Sequence, residues 1–354
     1  MKKFWVVGFI VVFLFAAMYF AVNNFLTPIN LGAQPFPLTK KWAVSLNSGS
    51  IFDSIVELSK TGDGVLLAKT KEGIYALQEN SGAVMWFFGL KNQLQPRPAI
   101  AFDGIIYTSD SKYLLAISQK DGKLIWEQAV GSANWIVDVS KDMVLVNEVA
   151  NDIVSFDAKT GNLLWRKGVG RGFVAAYIDG DLIYIPDNGI EAVDAQTGSV
   201  VWGDGDDPIG DSAFLDGVIY YALGDSIIAF DARKRIELWS VFLSGFGFKR
   251  PLIHGDYVFA IDRDYLYAIR RSNGFLEYKI ALDAPQSPSF LDDEVYVRGL
   301  FNRAIWVFDV NTKKQIGLLG TAMPVLLGVE NQDMISGRDM LVFATGNRLF
   351  AYKK

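Results

Sequence analysis

Ala192-Val193-Asp194-Ala195-Gln196-Thr197-Gly198-Ser199-Val200-Val201-Trp202 is the clearest copy of a phrase that recurs along most of the chain. The other copies end at Trp86, Trp126, Trp165 and Trp239, with degraded copies ending at Tyr278 and Gly317. Successive end points are 37–40 residues apart. A constant period of this size indicates stacked supersecondary units, because one unit alone cannot bury its apolar faces.

Each repeat contains the signals for four short strands. The phrase itself is a hairpin, in which residues 153–156 and 163–165 are strand-like and flank a Thr-Gly turn. A second hairpin precedes it, marked by Asp-Gly turns such as Asp103-Gly104 and Asp216-Gly217, where Gly adopts positive φ at little cost. Four antiparallel strands per repeat are the make-up of a propeller blade.

The two ends of the repeat region complement each other. Residues 40–46 look like the last strand of a blade with nothing before it, and residues 347–353 look like a third strand with nothing after it. Periodicity alone also suits a β-helix or an open solenoid, but the split terminal repeat favours a closed ring. The sequence therefore predicts an all-β, eight-bladed propeller of four-stranded antiparallel blades over residues 39–354, closed by pairing of the N- and C-terminal strands.

The N-terminus predicts a membrane segment. Lys2 and Lys3 precede 19 uncharged residues from Phe4 to Val22, and a helix of this length spans about 28 Å, close to the thickness of a bilayer core. We expect residues 1–22 to be a transmembrane signal anchor with a cytoplasmic N-terminus and an extracytoplasmic propeller. A cleaved signal peptide and a buried soluble helix are the alternatives.

Residues 23–38 predict a tether between this segment and the propeller. Pro28, Pro35 and Pro37 oppose both helix and sheet, so the tether should be extended and semi-rigid.

Composition excludes several classes of function. The formal net charge is −5, and an acidic protein of this kind argues against a nucleic-acid partner. The chain contains no Cys, which excludes disulfides, thiol nucleophiles, thiolate metal sites and a lipid-modified N-terminal cysteine. His254 is the single histidine, so a multi-histidine metal site is impossible, and a turn position is expected for it.

The phrase Ala-x-Asp-x-x-Thr-Gly-x-x-x-Trp resembles the repeat of the pyrroloquinoline-quinone (PQQ) propeller superfamily over residues 40–354. The resemblance implies that each Trp packs between adjacent blades against the turn Gly of a neighbouring copy. Arg235 stands in place of the turn Gly in one copy, and Tyr278 and Gly317 stand in place of Trp, so docking should be weakest there. The implied docking residues are Trp42, Trp86, Trp126, Trp165, Trp202 and Trp239, with Gly82, Gly122, Gly161, Gly198 and Gly274 as their platforms.

The superfamily divides into quinoprotein dehydrogenases and non-catalytic scaffolds. The dehydrogenases use an adjacent cysteine pair over the quinone, which this chain cannot supply. The resemblance therefore implies the scaffold branch that includes the BamB-type factors, without PQQ, calcium or enzymatic activity. We expect a monomeric propeller that binds envelope or membrane proteins, and a residual quinoprotein dehydrogenase is a remote alternative.

Two sets of side chains could bind a small ligand or a cation, which is the alternative function of a sensor module. Carboxylates on a Gly-containing loop after Trp202 could ligate Ca²⁺, although a solvated acidic loop is the favoured interpretation. Polar residues before the second-strand turns should line the channel mouth, unless they form only a solvated wall. The cation candidates are Asp204, Asp206, Asp207 and Asp211, and the channel candidates are Asp53, Arg97, Trp135, Asp211, Arg250 and Gln286.

Overall fold

The structure, a computed structural model, describes residues 28–30, 38–46, 55–92, 99–131, 135–148, 152–170, 175–245, 247–282, 284–286, 288–299, 304–321, 334–336, 339–345 and 347–353. The strands in chain order are β1 (Pro28–Asn30), β2 (Thr39–Ser45), β3 (Ile55–Lys60), β4 (Val65–Thr70), β5 (Gly73–Gln78), β6 (Val84–Gly89), β7 (Ile100–Phe102), β8 (Ile105–Ser109), β9 (Tyr113–Ser118), β10 (Leu124–Ala129), β11 (Trp135–Val139), β12 (Met143–Glu148), β13 (Asp152–Asp157), β14 (Leu163–Gly168), β15 (Tyr177–Asp179), β16 (Leu182–Asp194), β17 (Val200–Pro208), β18 (Ser212–Leu215), β19 (Val218–Leu223), β20 (Ser226–Asp231), β21 (Ile236–Phe242), β22 (Leu252–His254), β23 (Tyr257–Ile261), β24 (Tyr265–Arg270), β25 (Leu276–Ala281), β26 (Ser289–Leu291), β27 (Glu294–Arg298), β28 (Ala304–Asp309), β29 (Gln315–Thr321), β30 (Met334–Ser336), β31 (Met340–Thr345) and β32 (Arg348–Lys353).

These strands form eight antiparallel sheets, each of which is one blade of a propeller. Blades 1–7 are built from consecutive strands, from β3–β6 in blade 1 to β26–β29 in blade 7. The backbones of the first strands, such as β3, β11 and β18, come closest to the neighbouring blades, so these strands lie nearest the axis. In blades 1–6 the last strand, which carries the Trp phrase or its degraded copy, forms the outer edge, and in blade 8 the Trp42 strand β2 takes this position. The eight-bladed all-β architecture predicted from the repeat is confirmed.

Blade 8 is assembled from both ends of the propeller. Its strand order is β2-β32-β31-β30, so the C-terminal strand β32 lies between β31 and the N-terminal strand β2. The β2–β32 register runs from Thr39 opposite Lys353 to Ser45 opposite Arg348. The closure expected from the two incomplete repeats is thus present in the structure.

The core is divided among the blade interfaces. Eight clusters of buried apolar side chains each join two neighbouring blades, including one between blades 8 and 1. Leu67 and Ile74 of blade 1, for example, pack with Ile106 and Leu115 of blade 2. Because apolar area is buried between blades rather than within them, each blade is stabilised chiefly by its neighbours.

Blade 4 departs from the four-strand pattern. Its second and third strands merge into the 13-residue strand β16, which reverses direction at Gly189, where φ is +78°. The amide of Ala195 donates to the carbonyl of Asp181 at 2.9 Å, so the two ends of β16 meet as the arms of a hairpin. Because the turn at Gly189 is so tight, all residues from Leu182 to Asp194 belong to β16.

A short part of the tether adds to a sheet, although its prolines are expected to oppose sheet. β1 pairs antiparallel with β29, with Pro28 opposite Thr321 and Asn30 opposite Leu319. β1 is the outermost strand of blade 7, and an edge is where a strand tolerates proline.

The predicted transmembrane segment, residues 4–22, lies outside the described residues. Within the described ranges, no helix is long and apolar enough to span a bilayer.

Candidate functional site

The docking tryptophans lie at the blade interfaces. Trp165 of blade 3 is almost fully buried and donates its Nε1–H to the carbonyl of Ala195 at 2.8 Å. Its ring lies against Gly198 of blade 4, so close that a Cβ at Gly198 would be 2.7 Å from the ring. The turn therefore requires glycine twice, for its φ of +69° and for the close approach of the indole.

Four more Trp–Gly pairs repeat this geometry. The structure places the rings of Trp42, Trp86, Trp126 and Trp239 against Gly82, Gly122, Gly161 and Gly274 of the following blades. Each indole also donates to a carbonyl just before its glycine, with acceptors Glu79 (2.8 Å), Gln119 (2.9 Å), Ala158 (3.0 Å) and Arg271 (2.9 Å).

The degraded copies use other contacts. Arg235 adopts φ of +60° in the glycine position, and its guanidinium lies 5.0 Å from the centre of the Trp202 ring. Tyr278 stands in place of Trp at the interface of blades 6 and 7, where His254 stacks on Phe290 at 4.4 Å and its Nε2 lies 2.9 Å from the carbonyl oxygen of Asp292. Between blades 4 and 5 a cation–π contact thus takes the place of the indole–glycine contact, and between blades 6 and 7 a ring stack joins the first strands.

Substitutions at two glycines distinguish the strain of positive φ from the close contact with the indole ring. We expect Gly198→Ala to destabilise the protein by about 2–4 kcal/mol, since strain at positive φ adds to overpacking against the indole. Gly104→Ala is the control, because Gly104 has φ of +76° with open space around it, and should cost only about 1–2 kcal/mol. Chemical denaturation of both variants measures the difference, and equal losses would contradict the indole contact.

Buried carboxylates form a second set of contacts between blades. Asp187 of blade 4 accepts the amide of Gly170, which follows the last strand of blade 3, at 2.6 Å. Asp110 of blade 2 accepts from the side-chain amide of Asn92, which follows the last strand of blade 1, at 3.1 Å. Both acids end or follow a second strand. Sequence reasoning missed them because it followed the Trp phrase, although acids recur at this position at nearly the same period.

Lys69 is a buried cation between blades 1 and 2. It is 2% exposed and donates to the carbonyl of Ser109 at 3.2 Å. Burial lowers the pKa of Lys69 to about 8, against the attraction of Glu57 and Asp110.

This shift predicts a pH-dependent stability. Between a pKa of about 8 and its ordinary value of 10.5, the unfolded chain binds a proton that the folded chain lacks, so stability rises with pH. The free energy of unfolding should rise by at most about 1.4 kcal/mol per pH unit. The measurement is made below about pH 10, because tyrosines begin to ionise near that pH. Urea unfolding should show this rise in the natural protein and a flatter profile in Lys69→Met. Equal slopes in the two proteins would contradict the assignment to Lys69.

The acidic segment after Trp202 is not the loop that the sequence predicts. Residues 204–208 belong to strand β17, and Asp204 lies opposite Ile190. Gly189 permits this extension, because a Cβ there would lie 2.2 Å from the carbonyl oxygen of Gly205. Asp206 and Asp207 follow in the same strand, and Asp211 lies beyond its end. In the described part of the chain, no three acidic or histidine side chains are grouped as a metal site would require.

A cavity of about 240 Å³ opens beside this strand, between blades 3 and 4. Lys167 and Glu191 form an ion pair of 3.0 Å at its wall. Asp187, Asp204 and the backbone of Gly203 also line it, so the cavity is small and polar.

The channel candidates are only partly brought together. Asp53 and Arg97 lie outside the described residues, Trp135 begins β11, and Gln286 donates its backbone amide to the carbonyl of Arg298. Burial raises the pKa of Asp138, while hydrogen bonds and the nearby Arg250 oppose the rise. Burial likewise raises the pKa of Tyr177, opposed by Arg250, while Asp211 adds to the rise. Arg250, which precedes the first strand of blade 6, therefore acts electrostatically on groups of blades 3 and 4.

The outer edges of the blades expose apolar side chains. The residues before each docking Trp are exposed rather than buried, including Met85 (43%), Ile125 (48%) and Leu164 (44%). Exposed apolar residues along strand edges are typical of surfaces that bind another protein.

Comparison with known proteins identifies the family. The family profile of outer membrane protein assembly factor BamB matches residues 70–207 and 224–353. The chain belongs to the BamB family. BamB of Yersinia pestis is 26% identical over 145 residues, which is 35% of this chain and 36% of that protein. BamB of Moranella endobia is 25% identical over 174 residues, which is 42% of this chain and 45% of that protein. The alignments thus span less than half the length of these curated BamB relatives.

Solved structures support the BamB-like fold. The crystal structure of BamB from Moraxella catarrhalis superposes with a TM-score of 0.68 at 16% identity, over 90% of this chain and all of that one (100%). A computationally designed protein, Ika8, superposes with a TM-score of 0.70 at 14% identity, over 86% of this chain and 97% of that one. At these identities the superpositions describe the fold and nothing further.

Proposed function

We propose that this protein is a non-catalytic scaffold of the cell envelope that holds proteins taking part in outer-membrane protein assembly. The observation that carries the proposal is the match of the BamB family profile to most of the propeller. The relatives are named as assembly factors and not as enzymes. The exposed apolar outer edges supply the kind of surface that such a role requires.

We further propose that the propeller is extracytoplasmic and held at the membrane by residues 4–22. Two lysines followed by 19 uncharged residues support a signal anchor, and the absence of Cys from the chain excludes a lipid-modified cysteine as its replacement. Carbonate extraction of membranes should leave the full chain in the pellet. Release of the full chain into the supernatant would contradict the anchor.

The scaffold role needs neither PQQ nor Ca²⁺, and we propose that the protein works without them. The cysteine-free sequence supports this, since the dehydrogenases that share the repeat use a cysteine pair over the quinone. Purified protein supplied with PQQ, Ca²⁺ and a panel of alcohols and sugars should not reduce a dye acceptor. Dye reduction that depends on added PQQ would overturn the proposal.

A cross-linked pull-down tests the scaffold role. The full chain, tagged after Lys354, is solubilised from native membranes in mild detergent and its cross-linked partners are identified. We expect a stoichiometric envelope protein linked to one edge or rim of the propeller. Recovery of the protein alone, with its N-terminal segment intact, would contradict the scaffold role.

A further inference from the structure

Outer strands of a propeller expose unpaired backbone groups, and charged side chains usually protect such edges from other strands. Most of the outer strands follow this rule, as in Glu127 of β10, Arg166 of β14 and Glu237 of β21. Among the eight outer strands that the structure describes, only β6 and β29 contain no Asp, Glu, Lys or Arg. These two edges lack the ordinary protection.

One of the two uncharged edges is already occupied. The segment Pro28–Asn30 of the same chain pairs antiparallel with β29 and covers residues 319–321. The molecule therefore contains one example of how the backbone groups of an unprotected outer strand are paired. An extended, uncharged segment adds to the strand from outside the ring.

The other uncharged edge, β6, ends its sheet without a further strand among the described residues. Its sequence is Val-Met-Trp-Phe-Phe-Gly, and Val84, Met85 and Phe87 are all exposed. The Phe87 ring packs against the ring of Tyr75 in a tilted arrangement, with 4.5 Å between the ring centres, and so is held against the surface of the blade. A short, uncharged, aromatic strand at an open edge is a template for pairing with another strand.

We propose that β6 is a docking edge that receives an extended, uncharged strand of a protein partner by antiparallel addition. The inference rests on the proposed scaffold function and names the site and the chemistry of its partner. Backbone hydrogen bonds would supply the affinity, and Val84, Met85 and Phe87 would supply apolar contacts to alternate side chains of the added strand.

A separate partner is favoured over a second copy of this chain. A six-residue edge is about 20 Å long, and two convex rings that touch along it would bury much less than the 1,200 Å² or so typical of stable interfaces. A flexible segment meets no such limit, because it can follow the edge and settle against the neighbouring blade. The β1–β29 pair is an example of such a segment lying along an outer strand.

Photo-cross-linking of the full chain in native membranes tests the proposal. The photoreactive amino acid benzoylphenylalanine is placed at Met85, with Ile125 as the matched control because it precedes Trp126 as Met85 precedes Trp86 and is similarly exposed. We expect the Met85 adduct to exceed the Ile125 adduct by about tenfold, with the link in an uncharged strand of another protein. Hydrogen exchange of the complex should slow in residues 84–89 and not in residues 124–129.

Variants of β6 with an added charge provide a second test of the docking edge. Phe87→Glu puts a charge where β10 carries Glu127 and should lower partner recovery about tenfold. Because Phe87 contacts Tyr75, Met85→Lys is the second variant, with Ile125→Lys as its control, and melting curves check that all of them fold. Undiminished recovery by both β6 variants would overturn the docking edge and leave the scaffold role intact. An adduct to a second copy of this chain, or to a helix or a charged surface, would overturn the proposed occupant. Recovery of no partner by the natural chain would remove the scaffold role itself, and the inference with it.

Discussion

Deletion of residues 347–354 is expected to abolish the cooperative unfolding of the propeller. Strand β32 pairs with β2 on one side and β31 on the other, and Leu349, Phe350 and Tyr352 are buried at the interfaces of blade 8. Burial of three such side chains contributes roughly 5–9 kcal/mol, which is comparable with the whole stability of a typical protein. The truncated chain should give a broad, early melting curve in calorimetry.

The control for this deletion is Lys353→Ala. It removes a surface ion pair between Lys353 and Asp339, in which both side chains are about half exposed, and should cost less than about 1 kcal/mol. A truncated protein that melts at the temperature of the natural chain would show that β32 does not hold the ring closed.

Trp165→Ala is expected to destabilise the protein by about 3–5 kcal/mol. The variant removes a buried indole from the interface of blades 3 and 4, leaves a cavity above Gly198 and leaves the carbonyl of Ala195 without its donor. Chemical denaturation followed by tryptophan fluorescence and circular dichroism measures the change.

Leu164→Ala is the matched control for the tryptophan variant. Leu164 is the preceding residue on β14 and is exposed, so its loss should change stability by no more than about 0.5 kcal/mol. If both variants lost the same free energy, the stabilising contact would not lie at the indole.

The number of blades and the closure of the ring could be predicted because both follow from the spacing of the repeats in the sequence. A period of 37–40 residues and two incomplete repeats define a ring of eight units without knowledge of any contact. The Trp–Gly contacts came instead from the family resemblance, and the structure places five such pairs together.

Other features depend on contacts that the repeat does not encode. The extension of β17 past Trp202 depends on Gly189, a residue of another strand, whose missing side chain leaves room for the backbone. Acidic residues around a glycine otherwise favour a loop, so the sequence alone predicted the wrong structure there. The pairing of β1 with β29 joins residues far apart in the chain, and no local pattern predicts it.

The outer edges of the blades combine a feature that the sequence predicts with one that it does not. The Trp phrase identifies which strand is outermost, so the uncharged composition of β6 and β29 can be read from the sequence. Whether a further strand covers an edge depends on tertiary structure. In the described residues β29 is covered by β1, whereas β6 is the last strand of its sheet.

The split blade also sets the order of events during synthesis. Thr39 and Lys353 are neighbours in the ring but are separated by 314 positions in the chain. A ribosome that adds about 5–20 residues per second leaves β2 without its partner for some tens of seconds after it emerges. Blades 1–7 can form in turn during that interval, whereas blade 8 must wait for β32. A polypeptide that stops before β32 therefore exposes unpaired edges on β2 and β31, and such edges template aggregation.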